Sequence, residues 1–194
     1  MAIKFDWVDA FSASPFGGNG CAVLHDAAHL DAQTCMNVVR ETSLVECTFT
    51  GPSDVADIRV RYFLASREIP FAGHPTLATV AAMRARGLIG DGTVTLETQA
   101  GLIPVEVDGD KITMRQIAPV FGPFVSKEVL ADAVGLEAGD IVAAPQVVST
   151  GLPFCIGVVS GREALERAAL DVDGMTKYRA EIGVQDTDIM NLSW

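Results

Sequence analysis

The chain has 194 residues, 49% hydrophobic and 20% charged, with mean hydropathy +0.30, which excludes a disordered chain and allows one large domain or two small ones. Its net charge of −11 and pI of 4.6, with no Lys/Arg cluster to set against them, make nucleic acid and anionic membrane poor partners. Cys21, Cys35, Cys47 and Cys155 form no C-x-x-C pair and no run reaches membrane-spanning length, so a soluble, reduced, cytoplasmic protein is expected.

Ile3, Phe5 and Trp7 alternate with Lys4 and Asp6, which predicts a half-buried strand over 3–11. A Ser/Pro/Gly loop follows and ends in Gly17-Gly18-Asn19-Gly20. That turn lacks both the lysine of a phosphate loop and the spacing of a dinucleotide fingerprint. Cys21-Ala22-Val23-Leu24 is a short buried strand or the start of a helix; four residues do not decide. Asp31 is placed to cap a helix through about Arg40, with Cys35, Val38 and Val39 inward. Strands are expected over 45–50 and 58–65, the second alternating Arg59 and Arg61 with Val60 and Tyr62.

The next stretch, Glu68-Ile69-Pro70-Phe71-Ala72-Gly73-His74-Pro75-Thr76, reads as a loop turning sharply at Gly73. Pro75 then suits the first position of a helix that stops near Gly87. Leu77, Val80, Ala81 and Leu88 recur at helical spacing among Ala and Thr residues, and a helix apolar almost all round is a buried one. Its opening offers free backbone N–H groups, the positive end of the dipole and the His74 imidazole, the ingredients of a carboxylate or oxyanion site. A capped core helix with an incidental histidine fits the same residues.

Strand signals return over 93–98, 102–107 and 111–117, with Asp108-Gly109 as a hairpin turn. Residues 119–123, bounded by prolines, read as a break, dividing the chain into 1–118 and 119–194. Beyond it a helix is expected over 128–134, strands over 146–150 and 154–160, and helices over 162–169 and 174–180. A last strand signal begins at Asp186. Arg162, Glu163, Glu166 and Arg167 suit a surface helix, and no segment of the second half reads as a buried central one. Strands and helices mix without regular βαβ alternation, so the class is α+β.

Glu46 is the most informative acid, at the start of the apolar strand Val45-Glu46-Cys47-Thr48-Phe49. Buried there, its pKa would rise toward neutrality, as a general acid/base requires; solvated at the strand end, it would be ordinary. His25 and His29 stand four apart, a spacing that on a helix ligates metal, but the residues around them read as a loop without a third ligand. Cys21 shows no cation or base beside it in sequence to make a thiolate. Ser149-Thr150-Gly151-Leu152-Pro153 offers hydroxyls and amides between two strands, as a site wall or as a plain turn.

Asp9-Ala10-Phe11, Pro15-Phe16-Gly17-Gly18-Asn19-Gly20-Cys21-Ala22-Val23, Ser43-Leu44-Val45-Glu46-Cys47-Thr48-Phe49, Arg61-Tyr62-Phe63, the Gly73-His74-Pro75-Thr76 stretch and Ser149-Thr150-Gly151-Leu152-Pro153 together resemble the PhzF-like isomerase family of phenazine biosynthesis. The resemblance implies a diaminopimelate epimerase-like fold: two similar lobes, each a barrel-like sheet around a central helix, with the site in the cleft between them. It implies cofactor-free proton transfer within a small carboxylated substrate, with no metal. Glu46 is then the acid/base, and Gly73, His74, Asn19, Ser149 and Gly151 line the substrate. Members of the family carry a Glu-Asp-Pro-Ala-Thr-Gly-Ser type segment opening the second lobe's helix, and nothing like it stands before Asn191-Leu192-Ser193-Trp194. The expectation is a C-terminally truncated second lobe with doubtful activity, either covered by a second copy in a homodimer or markedly less stable than residues 1–118. The alternatives are a non-catalytic remnant binding a small acid or a protein partner, and a cysteine-based racemase. The last needs a reactive thiol beside each helix opening, and neither Cys21 nor Cys155 is so placed.

Overall fold

The computed structural model describes residues 2–116, 118–150, 153–182 and 190–193, and the chain divides into two compact units, Met1–Gln116 and Ile117–Trp194. In chain order the first unit holds β1 (Phe5–Ala10), β2 (Asn19–Leu24), α1 (Ala32–Thr42), β3 (Glu46–Gly51), β4 (Ile58–Leu64), β5 (Glu68–Ile69), α2 (Gly73–Ala85), β6 (Gly92–Thr98), β7 (Gly101–Asp108) and β8 (Lys111–Met114). Its mixed sheet runs β1-β2-β3-β4-β6-β7-β8, with β5 paired to β4. The β2–β3 and β4–β6 pairs are parallel, and each is joined by a connection that carries a helix, as parallel neighbours require.

Both edge strands, β1 and β8, contact α2, so the sheet curls round that helix. Val60, Tyr62, Val94, Leu96, Val105 and Val107 line the inside from one end, and Ala10, Cys21 and Val23 from the other. The outer face of β2 and β3 carries Ala22, Leu24, Cys47 and Phe49, which pack with Cys35 and Val39 of α1. Strands β2 and β3 are thus covered on both sides, which is why they read as continuous apolar runs and why 21–24 showed no period. Asp31 caps α1 by accepting from the Thr34 N–H, and Ser43 ends it in the left-handed region at φ 56°. Val38, expected inward, is only half-buried beside Cys35 and Val39.

Three expectations about the central stretch need correction. Helix α2 begins at Gly73, so Pro75 is its third residue and not its first. The third N–H of a helix also has no partner inside it, so a proline is tolerated there for the same reason. Gly73 is an ordinary helical residue and makes no left-handed turn. Leu88 lies beyond the helix end and is 62% exposed, while Thr76, Thr79 and Met83 supply burial instead.

The second unit contains β9 (Val120–Phe124), α3 (Lys127–Ala133), a 3-10 turn (Ala138–Asp140), β10 (Gln146–Ser149), β11 (Pro153–Val158), α4 (Arg162–Arg167), α5 (Val172–Ile182) and β12 (Met190–Ser193). Its sheet runs β12-β11-β10-β9, with β11 and β12 parallel. The predicted break over 119–123 is therefore strand β9. Pro123 is tolerated because β9 pairs on one side only and its register on β10 shifts between Gln146 and Val148. The helices expected over 128–134 and 174–180 are present as α3 and α5, and both contribute to the core. Leu130, Ala131 and Ala133 of α3 and Met175 and Tyr178 of α5 close a core with Val147 and Cys155. A side chain at Gly174 would meet the Asp132 carbonyl at 2.2 Å, so glycine lets α5 lie directly on the end of α3. Helix α4 is a surface helix, with only Ala164 buried.

Candidate active site

The inner face of β3 presents Glu46 to the start of α2. Strand alternation puts Glu46 and Thr48 on that side and Cys47 and Phe49 under α1. Glu46 Oε2 lies 3.4 Å from His74 Nδ1, and each side chain is only 10% exposed. At that separation the two groups are in contact without a well-formed hydrogen bond. Burial pushes the Glu46 carboxyl up from its ordinary 4.5 to about 7. Burial also pushes His74 below its ordinary value, partly offset by the Gly20 backbone beside the ring. Near neutral pH the carboxyl is therefore protonated and ionised in comparable amounts, and the imidazole beside it is neutral.

His74 Nε2 is buried and has no hydrogen-bond partner. Leaving such an atom unpaired costs about 1–3 kcal/mol unless a water or a ligand atom reaches it. Helix α2 has no side-chain cap at Ala72, which leaves the N–H groups of Gly73 and His74 without intrahelical partners. A carboxylate seated there would meet both amides and the positive end of a 13-residue helix. Among the described residues, a Cβ on Gly73 would meet the Gln116 side-chain amide at 3.7 Å, an ordinary contact.

The structure thus brings Glu46, Gly73 and His74 together, with the Gly20 backbone against the imidazole. Asn19 is the exposed first residue of β2, adjacent to Gly20 and paired with Ala10 across the ladder. A Cβ on neighbouring Gly18 would meet the Ala10 carbonyl at 2.3 Å, so glycine is what lets this loop close over β1. Ser149 ends β10 in the second unit, opposite Pro153 and Val120, and Gly151 lies outside the described residues. The Gly20 backbone and the Gln116 amide escaped the sequence reading. Backbone atoms carry no residue signature, and Gln116 falls within the strand expected over 111–117.

The other chemistries find no support in geometry. His25 sits in a turn with Nε2 2.8 Å from Asp6, and His29 is exposed. Among the described residues no group of three His, Cys, Asp or Glu could hold a metal ion. Burial pushes the Cys21 thiol up to about 12, the reverse of what a nucleophile needs. No helix among the described residues is long and apolar enough to cross a membrane.

The sequence profile of the PhzC-PhzF family, phenazine biosynthesis-like protein, matches residues 8–191. The chain is 30% identical over 171 residues to the uncharacterized isomerase YfhB of Bacillus subtilis, covering 84% of this chain and 58% of that protein. It is 35% identical over 136 residues to the trans-2,3-dihydro-3-hydroxyanthranilate isomerase of Pseudomonas aeruginosa, covering 67% of this chain and 48% of that protein. The solved structure of a predicted epimerase from Pseudomonas aeruginosa superposes with a TM-score of 0.83 at 31% identity, over 98% of this chain and 70% of that one. A hydroxyproline epimerase from Agrobacterium vitis, 12% identical over 80% of this chain and 50% of its own, shares the fold alone, with a TM-score of 0.55. The chain therefore spans about half to two thirds of the length of these relatives.

Proposed function

Because the chain belongs to the phenazine biosynthesis-like PhzC-PhzF family of isomerases and epimerases, we propose that Glu46 moves a proton between two positions of one small carboxylated metabolite. The observation that carries this reading is the buried Glu46–His74 pair at an uncapped helix start, 3.4 Å apart, with Nε2 left unpaired. A carboxyl near pKa 7 is protonated and ionised in comparable amounts at neutral pH, so it can both take a proton and return one. The Gly73 and His74 amides would hold the substrate carboxylate and stabilise negative charge that develops as the C–H bond breaks. His74, kept neutral by burial, adds no competing charge and offers a polar edge to the ligand. No cofactor enters this scheme, since the proton returns to the molecule that gave it.

The test is solvent exchange. Small carboxylated metabolites with an acidic C–H are incubated with the full chain in deuterium oxide, and deuterium uptake is read by mass spectrometry. Uptake should fall by about a hundredfold or more in Glu46→Gln, while binding persists. An equal rate in Glu46→Gln would remove Glu46 from the role. Binding without exchange in the unaltered chain would favour a site that only holds small acids.

A further inference from the structure

Two chains of hydroxyls tie α2 to the sheet beside the Glu46–His74 pair. Thr76 Oγ1 lies 2.7 Å from the Ala72 carbonyl and 2.7 Å from Tyr62 Oη. A hydroxyl has one proton and a carbonyl can only accept, so Thr76 donates to Ala72 and Tyr62 donates to Thr76. Burial holds the Tyr62 phenol above its ordinary pKa, which keeps that proton in place. Thr79 Oγ1 lies 2.8 Å from the Pro75 carbonyl and 3.0 Å from Thr48 Oγ1. Thr79 has one proton for the two, so it donates to the Pro75 carbonyl or to Thr48 Oγ1, which accepts. Each relay links a sheet hydroxyl, a helix hydroxyl and a carbonyl at the start of α2.

The placement is specific. Thr48 and Tyr62 face each other across the β3–β4 ladder, and Thr76 and Thr79 are three residues apart on one side of the helix. None of the four is more than 1% exposed. The rest of the buried α2 surface is Pro75, Ala78, Val80, Ala82 and Met83, whose contacts are non-directional and resist sliding only weakly. The first backbone bond of the helix, Thr76 N to Ala72 O, is long at 3.4 Å, and no side chain caps it. The relays therefore supply the directional restraint there. Glu46 stands two residues before Thr48 on the same strand face, and His74 two residues before Thr76.

We propose that Thr48, Tyr62, Thr76 and Thr79 are positioning residues, two hydroxyl relays that lock α2 to β3 and β4 and thereby set the distance between His74 and Glu46. This rests on Glu46 and His74 being the working pair, but its test needs no turnover. The full chain, labelled in the glutamate carboxyls and histidine rings, is titrated by NMR. Thr76→Val with Thr79→Val keeps the side-chain shape and removes the relays. Water should then reach the pair, lowering the Glu46 midpoint by about half a pH unit or more and moving the His74 ring signals. Tyr62→Phe should give part of that shift, and Thr76→Ser with Thr79→Ser should keep both signals at their original values. Thr50→Val is the control, since Thr50 is an equally buried hydroxyl of β3 bonded to the Leu24 carbonyl at 3.2 Å and not to α2. It should lower the melting temperature and move neither signal. Unmoved Glu46 and His74 titrations in the double valine variant would overturn the proposal, whatever its melting temperature. If that variant does not fold, Tyr62→Phe and Thr79→Val, taken singly, decide on the same criterion. Shifted titrations without exchange in the unaltered chain would sink the catalytic reading and leave the relays standing; Glu46-dependent exchange with unmoved titrations would do the reverse.

Discussion

The two units bury different kinds of surface. The first hides Glu46, Thr48, Thr50, Thr76 and Thr79 in or beside the space that α2 fills. The second, among the described residues, hides no carboxylate, imidazole or threonine, and its core is Leu130, Ile141, Val147, Val159 and their neighbours around α3 and α5. Its helix α3 has a serine cap, whereas α2 has none. Burying polar groups costs stability unless each is paired, so a unit that does so five times has been shaped by something besides stability. The contrast separates a region that buries paired polar groups from one held by apolar packing.

Five measurements would break or sharpen that contrast. Leu130→Ala in the second unit should cost about 4 kcal/mol, because Leu130 is fully buried and leaves a cavity. Urea titrations at pH 5 and pH 8 should give the same loss, and a marked pH dependence would mean that the second unit also stores a buried charge. Glu46→Gln should act in the opposite direction. The acid is protonated in both states below pH 4.5, and as pH rises the unfolded chain ionises first, so stability falls until the folded pKa of about 7 is passed. Removing that ionisation should stabilise the chain by about 3 kcal/mol at pH 8 and by nothing at pH 4. His74→Gln reverses the window. Its folded pKa is lowered, so its cost appears as pH falls through the ordinary value of 6.5, and the variant should gain stability at pH 5 but not at pH 8.

Ser126→Ala should cost about 1 kcal/mol, since its hydroxyl accepts the Val129 N–H at the start of α3. Smallest of all, Arg162→Ala should change stability by no more than about 0.5 kcal/mol. Its i,i+4 bond to Glu166 joins side chains that are 77% and 62% exposed. A larger effect would mean that α4 does more than cover a surface.

Sequence patterning exposed the elements whose signal is local. The Asp31 cap, the alternation over 58–65 and the turn at Gly109 needed only neighbouring residues, and each appears in place. A proline fits any position of a first turn, so Pro75 sets the start of α2 two residues late, and an edge strand tolerates Pro123, so β9 carries the local pattern of a break. Glu46 and His74 could be singled out, but their 3.4 Å contact is set by the curl of the sheet round α2, which no local pattern encodes. The relays were hidden for the same reason. Thr76 and Thr79 read as small filler residues until Tyr62 and Thr48 arrive from strands elsewhere in the chain.

The four cysteines give each unit its own clock. All are fully buried, and burial pushes Cys21 to about 12, Cys35 to about 11, and Cys47 and Cys155 above their ordinary value. A thiol-specific reagent in neutral buffer can therefore react only after a segment opens, and its rate counts how often that happens. Cys21, Cys35 and Cys47 report on the sheet and α1 of the first unit, and Cys155 reports on β11 of the second. Mass-resolved labelling of one sample should thus yield separate opening lifetimes for the two halves, with no engineered probe in either.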